Sequence, residues 1–311
     1  MKSWKAMFTP PVGRIVAFGV VLAANSSSLL ATDLKPEEVV ARHVDSIGTA
    51  EVRTAAKTRI VQGTAQFKIR VGGGGELSGT SALVSEGRKS VLMVKLANND
   101  YRGEQFVTDG DKVSVAATTS NHKWSDFGEF VRSQDQIVRE GLLGGTLTTT
   151  WALLNLVQNK AKLSFDGERK VDGRPAYQLT YHSKEKDDLT IHLFFDSETY
   201  RHIMTTYSIT LASGFGGFAP SLSDQAGLTA PPANAPGADV TQSSKQKETR
   251  YMIEERFTDF KTTDGLTLPT KYVIHFTEEL QNGTTALYEW DLTADEVSNN
   301  RSLDPKNFQV K

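Results

Sequence analysis

The stretch Asp188 to Leu211, DLTIHLFFDSETYRHIMTTYSITL, constrains the fold more than any other. It consists of two runs of period-2 alternation separated by the turn-forming Asp196, Ser197 and Glu198, the pattern of a β-hairpin. On the first strand Leu189, Ile191, Leu193 and Phe195 share a face. Placing Leu193 opposite Ile203 continues that face through Ile203, Thr205, Tyr207 and Ile209. The same rule upstream, with Tyr181 opposite Leu189, adds Tyr177, Leu179 and Tyr181, and sends Thr180, His182, Thr190, His192 and His202 to the other side. The expectation is a large antiparallel sheet with one apolar and one polar face.

The rest of the chain supplies more of the same. Strands are expected at Arg59 to Val71 (with Ala65, Phe67, Ile69 and Val71 on one side), Glu76 to Ser85, Ser90 to Leu96, Tyr101 to Thr108, Lys112 to Ala117, Ala161 to Phe165 and Ala176 to Tyr181. After a long break come Arg250 to Lys261, Thr270 to Phe276, with Tyr272, Ile274 and Phe276 on one side, and Thr285 to Leu292. The class is therefore mainly β (α+β), with about ten or eleven antiparallel strands. Pro36, Glu37 and Glu38 open an amphipathic helix carrying Val39, Val40, Val44 and Ile47 and stopped by Gly48, and a second helical turn follows near Ala50 to Lys57.

The period changes once inside the strand series. Phe127 to Glu140 and Leu147 to Gln158 are expected as helices joined by Gly141, Leu142, Leu143, Gly144 and Gly145. Leu142, Leu143, Trp151, Leu153, Leu154, Leu156 and Val157 are too many large apolar groups to leave wet, each worth roughly 1.5–3 kcal/mol when buried. This segment is expected to cover the apolar wall, either as ordinary core helices or as a movable lid hinged at its glycines.

Residues 1–31 have a basic start (Lys2, Lys5, Arg14), an apolar run from Ile15 to Ala24 and a small-residue end at Ala31, the layout of a cleavable secretory signal. The run is about half the roughly 20 residues of a membrane-spanning helix. Removing it takes away three of the 35 basic side chains and no acid, leaving 32 against 37, a formal net charge of −5, which argues against a nucleic-acid or anionic-membrane binder. There is no cysteine, so neither disulfides nor a lipoprotein-type lipid anchor can form. Residues 32–311 are expected to form one domain, interrupted at 212–246, where Gly, Ala, Pro, Ser and Thr dominate and Pro231, Pro232 and Pro236 break regular structure, a composition that predicts disorder.

No catalytic signature is present. The glycines at 72–75 fail the dinucleotide spacing, since Leu77 and Ser78 occupy the third-glycine positions, and are a hairpin loop. His182, His192 and His202 fall ten apart, but the register spreads them too far to share a metal ion. His43 and His122 look isolated, and His275 faces away from Tyr272, Ile274 and Phe276. Evenly spread carboxylates give no positive support to a hydrolase. No catalytic residue, metal or cofactor is expected.

Several stretches resemble the LolA/LolB-like outer-membrane lipoprotein-sorting superfamily of Gram-negative bacteria. They are the signal followed by the helix Pro36 to Ile47, the segment KVDGRPAYQL from Lys170 to Leu179, the hairpin FDSETY from Phe195 to Tyr200, and FTDFKTTDGLTLP from Phe257 to Pro269. The resemblance covers most of the mature chain and differs from it in the 212–246 insertion and in extra length. It implies a periplasmic, non-enzymatic carrier: an incomplete antiparallel β-barrel whose concave apolar face, lidded by short helices, receives lipid or the acyl chains of lipoproteins. An inner-membrane donor and an outer-membrane acceptor are the implied partners, and a monomer is expected. The residues expected to line the face are Phe67, Ile69, Leu189, Ile191, Leu193, Phe195, Ile203, Tyr207 and Ile274, with Leu142, Leu143, Trp151 and Leu154 on the lid. The competing reading is a non-catalytic envelope scaffold or interaction protein.

Overall fold

The computed structural model describes residues 34–119, 124–185, 188–211, 249–279 and 283–310. The chain divides into two units, Met1–Asp33 and Leu34–Lys311. The expected signal, the 212–246 insertion and His122 lie outside the described residues.

Among the described residues every strand of the second unit joins one antiparallel sheet: β1 Thr58–Val71, β2 Glu76–Glu86, β3 Lys89–Leu96, β4 Glu104–Thr108, β5 Val113–Ala117, β6 Lys162–Val171, β7 Arg174–His182, β8 Thr190–Asp196, β9 His202–Leu211, β10 Thr249–Thr263, β11 Leu266–Glu279 and β12 Thr285–Asn299. Its order is β5-β4-β3-β2-β1-β12-β11-β10-β9-β8-β7-β6. The edges β5 and β6 do not pair, so the barrel is incomplete. These two edge strands are consecutive in sequence. The chain between them must therefore pass from one edge of a twelve-stranded sheet to the other, and the only compact route crosses a face.

That crossing contains α3 (Asp126–Ser133), α4 (Gln136–Arg139), 3₁₀ turns at Gly145–Leu147 and Ala152–Leu154, and α5 (Leu156–Asn159). Two long helices were expected, and neither persists. The first is interrupted at Gln134 (φ −118°, ψ 51°). The second is replaced by 3₁₀ turns and one short helix. Thr148, Thr149 and Thr150 are consecutive β-branched residues that are stiff at χ1 and poor in helices, and the Thr150 carbonyl accepts from the Asn155 side chain (3.2 Å) instead of from a helical N–H. Before the sheet, α1 (Pro36–Ile47) buries Val39, His43 and Ile47, one residue per turn, and α2 (Ala50–Ala55) is capped by the Thr49 hydroxyl.

The hairpin pairs two residues away from the expected register: Leu193 lies opposite Thr205, Ile191 opposite Tyr207, and Tyr181 opposite Ile191. A slip of two preserves the face. Leu179, Tyr181, Leu189, Ile191, Leu193, Phe195, Thr205, Tyr207 and Ile209 are all buried on the concave side. A bulge then changes the outcome for two residues. Phe194 pairs with Met204 but Phe195 with His202, leaving Ile203 as the extra residue. His202, expected on the polar face, turns inward and is 0% exposed. Ile203, expected on the wall, goes to the convex side with Val171, Ala176, Phe194 and Met204. The turn itself is held by the Asp196 carboxylate, which accepts from the Thr199 N–H (2.7 Å), and by Tyr200 at φ 57°.

Elsewhere the convex face is charged. His275 sits between Glu254 (3.3 Å) and Glu289 (3.0 Å), whose carboxylate also takes the Arg70 guanidinium, and the flanking carboxylates raise the imidazole pKa. Among the described residues no helix is long and apolar enough to cross a membrane.

Candidate functional site

The concave face and the crossing segment meet in one hydrophobic core. Phe67, Leu189, Ile191, Leu193, Phe195, Tyr207 and Ile274 are buried there together with Leu142, Leu143 and Trp151, and Ile69 is half-buried at the margin. Two expected members are absent. Ile203 is on the convex side, and Leu154 is 42% exposed, as is Val157 at 90%. With the helix over 147–158 replaced by turns, these side chains no longer follow a helical stripe onto the wall. The fit is close: between Ser90, Leu92 and Phe106 of the sheet and Val138, Leu143 and Thr148 of the segment only about 10 Å³ remains, room for at most one water.

Two glycines make this fit possible. Gly141 (φ 74°) lies where an added β-carbon would meet the Thr150 carbonyl oxygen at 1.9 Å, and Gly145 (φ 49°) sits against the His202 and Phe257 rings. Their necessity is close packing as well as backbone freedom.

The polar contacts across this interface were not anticipated. Glu255 follows Tyr251 and Ile253 in the inward alternation of β10 and is 0% exposed. Its carboxylate accepts from the Gly144 N–H (2.8 Å) of the segment and from the hydroxyls of Tyr207 on β9 and Tyr272 on β11. Burial raises its pKa to about 7 against the opposing effect of those three donors, and raises both phenols well above their usual value. Arg59, at the start of β1, is 5% exposed. Its guanidinium donates to the Thr146 carbonyl (2.7 Å) of the segment and to the Asn299 side chain (3.1 Å), and burial alone lowers its pKa to about 10. Ser85, opposite Arg59 on β2, accepts from the Thr149 N–H of the segment (2.8 Å). The sheet thus holds the main chain of 144–149 through three inward polar side chains.

A second cluster lies beside it. His43, expected to be isolated, is buried, with Nδ1 2.9 Å from the Tyr200 carbonyl and Nε2 accepting from the Trp151 indole N–H (2.9 Å). Both bonds are satisfied by the neutral tautomer protonated on Nδ1, and burial lowers the pKa to about 4. Trp151 stacks on His202 at 4.6 Å, and His202 in turn packs on Phe257 at 4.7 Å. Carboxylates add further contacts at the start and the middle of the segment. Glu104 on β4 accepts from the Ser125 N–H (2.9 Å) and hydroxyl (2.7 Å) at the cap of α3, and Glu140 just past α4 accepts from the Tyr181 hydroxyl (2.7 Å) and from Ser183.

The sequence carried a signal for two of these groups. Val39, His43 and Ile47 fall at i, i+4 and i+8, and Glu255 interrupts an otherwise apolar alternation. Arg59, with Val61, Ala65 and Phe67 after it, offered a weaker one. Among the described residues no three His, Asp or Glu side chains lie close enough to hold a metal ion. What this arrangement does chemically is accept and donate hydrogen bonds to amide groups on a largely apolar face.

No family model matches the sequence, and no curated protein matches it. Among solved structures the chain is similar to a domain from Vibrio parahaemolyticus provisionally termed an outer membrane lipoprotein-sorting protein, at 10% identity over 88% of this chain and 93% of that one, with a TM-score of 0.36. It is also similar to the Pseudomonas aeruginosa MucA/MucB complex structure, at 13% identity over 85% and 100% of the chains with a TM-score of 0.22. A MucB structure solved alone gives 14% identity over 82% and 93%, with a TM-score of 0.23. The first of these is named for the group that the sequence resembles, and at such identities and TM-scores none of the three says anything about a ligand or a partner of this chain.

Proposed function

We propose that this protein is a non-catalytic binding protein of the periplasm, exported by a cleaved signal, that takes up a lipid or acylated ligand on its concave face when the 124–160 segment moves aside. By the sequence resemblance, lipoprotein traffic to the outer membrane is the process it serves. The observation that supports this reading is the way the segment is attached. A wall of large apolar side chains is covered by short turns, not by a continuous helix, and over residues 144–149 the polar side chains of the wall, Glu255, Arg59 and Ser85, hold main-chain groups of the cover. Hydrogen bonds to main chain are replaceable by water or ligand with modest net loss, whereas the apolar area uncovered needs an apolar occupant.

The test uses the absence of native cysteine. A Ser85→Cys, Thr149→Cys pair, placed by the hydrogen bond between these residues, allows a single disulfide that ties the segment to β2. The oxidised protein should lose saturable binding of a fluorescent fatty acid and regain it on reduction. Equal binding in both states, or no saturable binding by the unmodified protein, would refute the proposal and favour an envelope interaction role.

A further inference from the structure

The bulge of the hairpin builds a feature on the convex side that the concave face does not use. Ile203, the extra residue, is turned outward and half-buried, and a bulge gives up regular pairing to re-aim a side chain. With Pro175 of β7 and Phe260 of β10 it lines a cleft of about 400 Å³, a size within the range of small-molecule sites. The walls of this cleft are fixed without a ligand. Thr199 donates its N–H (2.7 Å) and its hydroxyl (2.6 Å) to the Asp196 carboxylate, which holds the β8–β9 turn. The Ser197 N–H bonds the Pro175 carbonyl (3.2 Å) and joins that turn to β7. Asp172, in the β6–β7 turn, pairs with Arg256 on β10. Occupation therefore carries little cost of ordering the protein.

The charged groups of the cleft say what it takes. Arg174 and Arg201 line it beside Asp196 and Glu198, and among the described residues neither guanidinium pairs with a carboxylate. Asp196 is committed to its own turn. The Arg201 guanidinium lies over the Phe260 ring at 5.1 Å, an arrangement that leaves its N–H fork for a planar acceptor, and carboxylates match that fork with two parallel hydrogen bonds. Two acids against two arginines make the cleft neutral as a whole, so one negative charge is matched there and the double charge of a phosphate monoester is not. We propose that this cleft binds the α-carboxylate of a residue with an apolar side chain, supplied by a free amino acid or by the carboxyl end of a polypeptide. The carboxylate meets Arg174 and Arg201, and the side chain lies against Ile203, Pro175 and Phe260. Because Ile203 faces away from the concave wall, this site does not depend on ligand uptake there.

The experiment is fluorescence polarisation of an amino-terminally dye-labelled peptide, Gly-Ser-Gly-Ala-Leu, with the exported full-length protein. The peptide with a free carboxyl end should bind saturably, and its carboxamide at least tenfold more weakly. Arg201→Lys keeps the charge and removes the fork, so it should weaken the acid at least fivefold with an unchanged thermal melt. Arg174→Gln with Arg201→Gln should reduce the acid to the level of the amide. Ile203→Ser should cut the preference for a final leucine over a final glycine by threefold or more. Two competitors separate the sources: displacement by free leucine at concentrations near those of unlabelled peptide assigns the free amino acid, and displacement by unlabelled peptide alone assigns the chain end. Equal binding of acid and amide, stronger displacement by inorganic phosphate than by either competitor, or no saturable binding of the peptide would overturn the inference. Binding should be the same in the oxidised and reduced Ser85→Cys, Thr149→Cys protein, and peptide binding that followed the state of that disulfide would place the peptide on the concave face and overturn it as well.

Discussion

Glu255→Gln should change the pH dependence of stability in a defined direction. In the folded chain burial raises the Glu255 pKa from 4.5 to about 7. The native state therefore holds a proton between those values that the unfolded state has released, and the free energy of unfolding falls as pH rises through the window. The contribution is complete below pH 4.5 and lost above about pH 7. At 1.36 kcal/mol per pKa unit, the two values set a change of about 3 kcal/mol. Glutamine cannot titrate and has nearly the same shape, so the difference in stability between parent and variant isolates this one group. His43 and His202, held neutral by burial, act in the opposite sense, losing stability as pH falls below their usual 6.5, but they are common to both proteins and cancel. The assay is urea unfolding followed by tryptophan fluorescence at half-unit steps from pH 4 to 8. The parent's advantage over Glu255→Gln should be largest near pH 4 and shrink by about 3 kcal/mol by pH 8. A difference that is flat, or that grows with pH, would show that Glu255 is not a buried group held by Tyr207, Tyr272 and Gly144.

Other substitutions test the interface itself. Trp151→Phe removes the donor to a buried imidazole nitrogen and should cost about 1–3 kcal/mol in chemical unfolding, where a negligible change would mean that His43 finds water instead. Gly141→Ala places a β-carbon onto the Thr150 carbonyl at a positive φ, and a melting temperature unchanged within error would contradict the close approach seen there. Ile203→Glu, on the convex side of the bulge, should leave fatty-acid binding intact, whereas Leu193→Glu on the concave side should abolish binding or folding. Equal effects of the two would place Ile203 back on the wall. Val157→Ser, at 90% exposure, should alter stability by less than about 0.5 kcal/mol.

Much of this molecule was determined by alternation. A strand's side chains have a period of two, so Leu179, Leu193, Tyr207 and Ile274 share a face under any register slip of an even number of residues, and the two-residue slip in the hairpin left them there. The bulge at Ile203 was not legible. It depends on how the Asp196 to Arg201 turn meets the twist of two strands, and it exchanged the faces of Ile203 and His202 without any mark in the local composition. The crossing segment shows the same division. Its apolar content required it to lie on the wall, but its path was decided by threonines unsuited to a helix, by glycines that admit the Thr150 carbonyl and the His202 ring, and by the edge positions of β5 and β6. Least legible of all were the contacts of Glu255, Arg59 and Ser85. Each pairs a side chain with an N–H or C=O of the main chain, and because every residue carries those groups, no sequence identifies which of them a distant carboxylate or guanidinium will meet. Only the folded chain, by bringing residues 144–149 within about 3 Å of three strands, selects them.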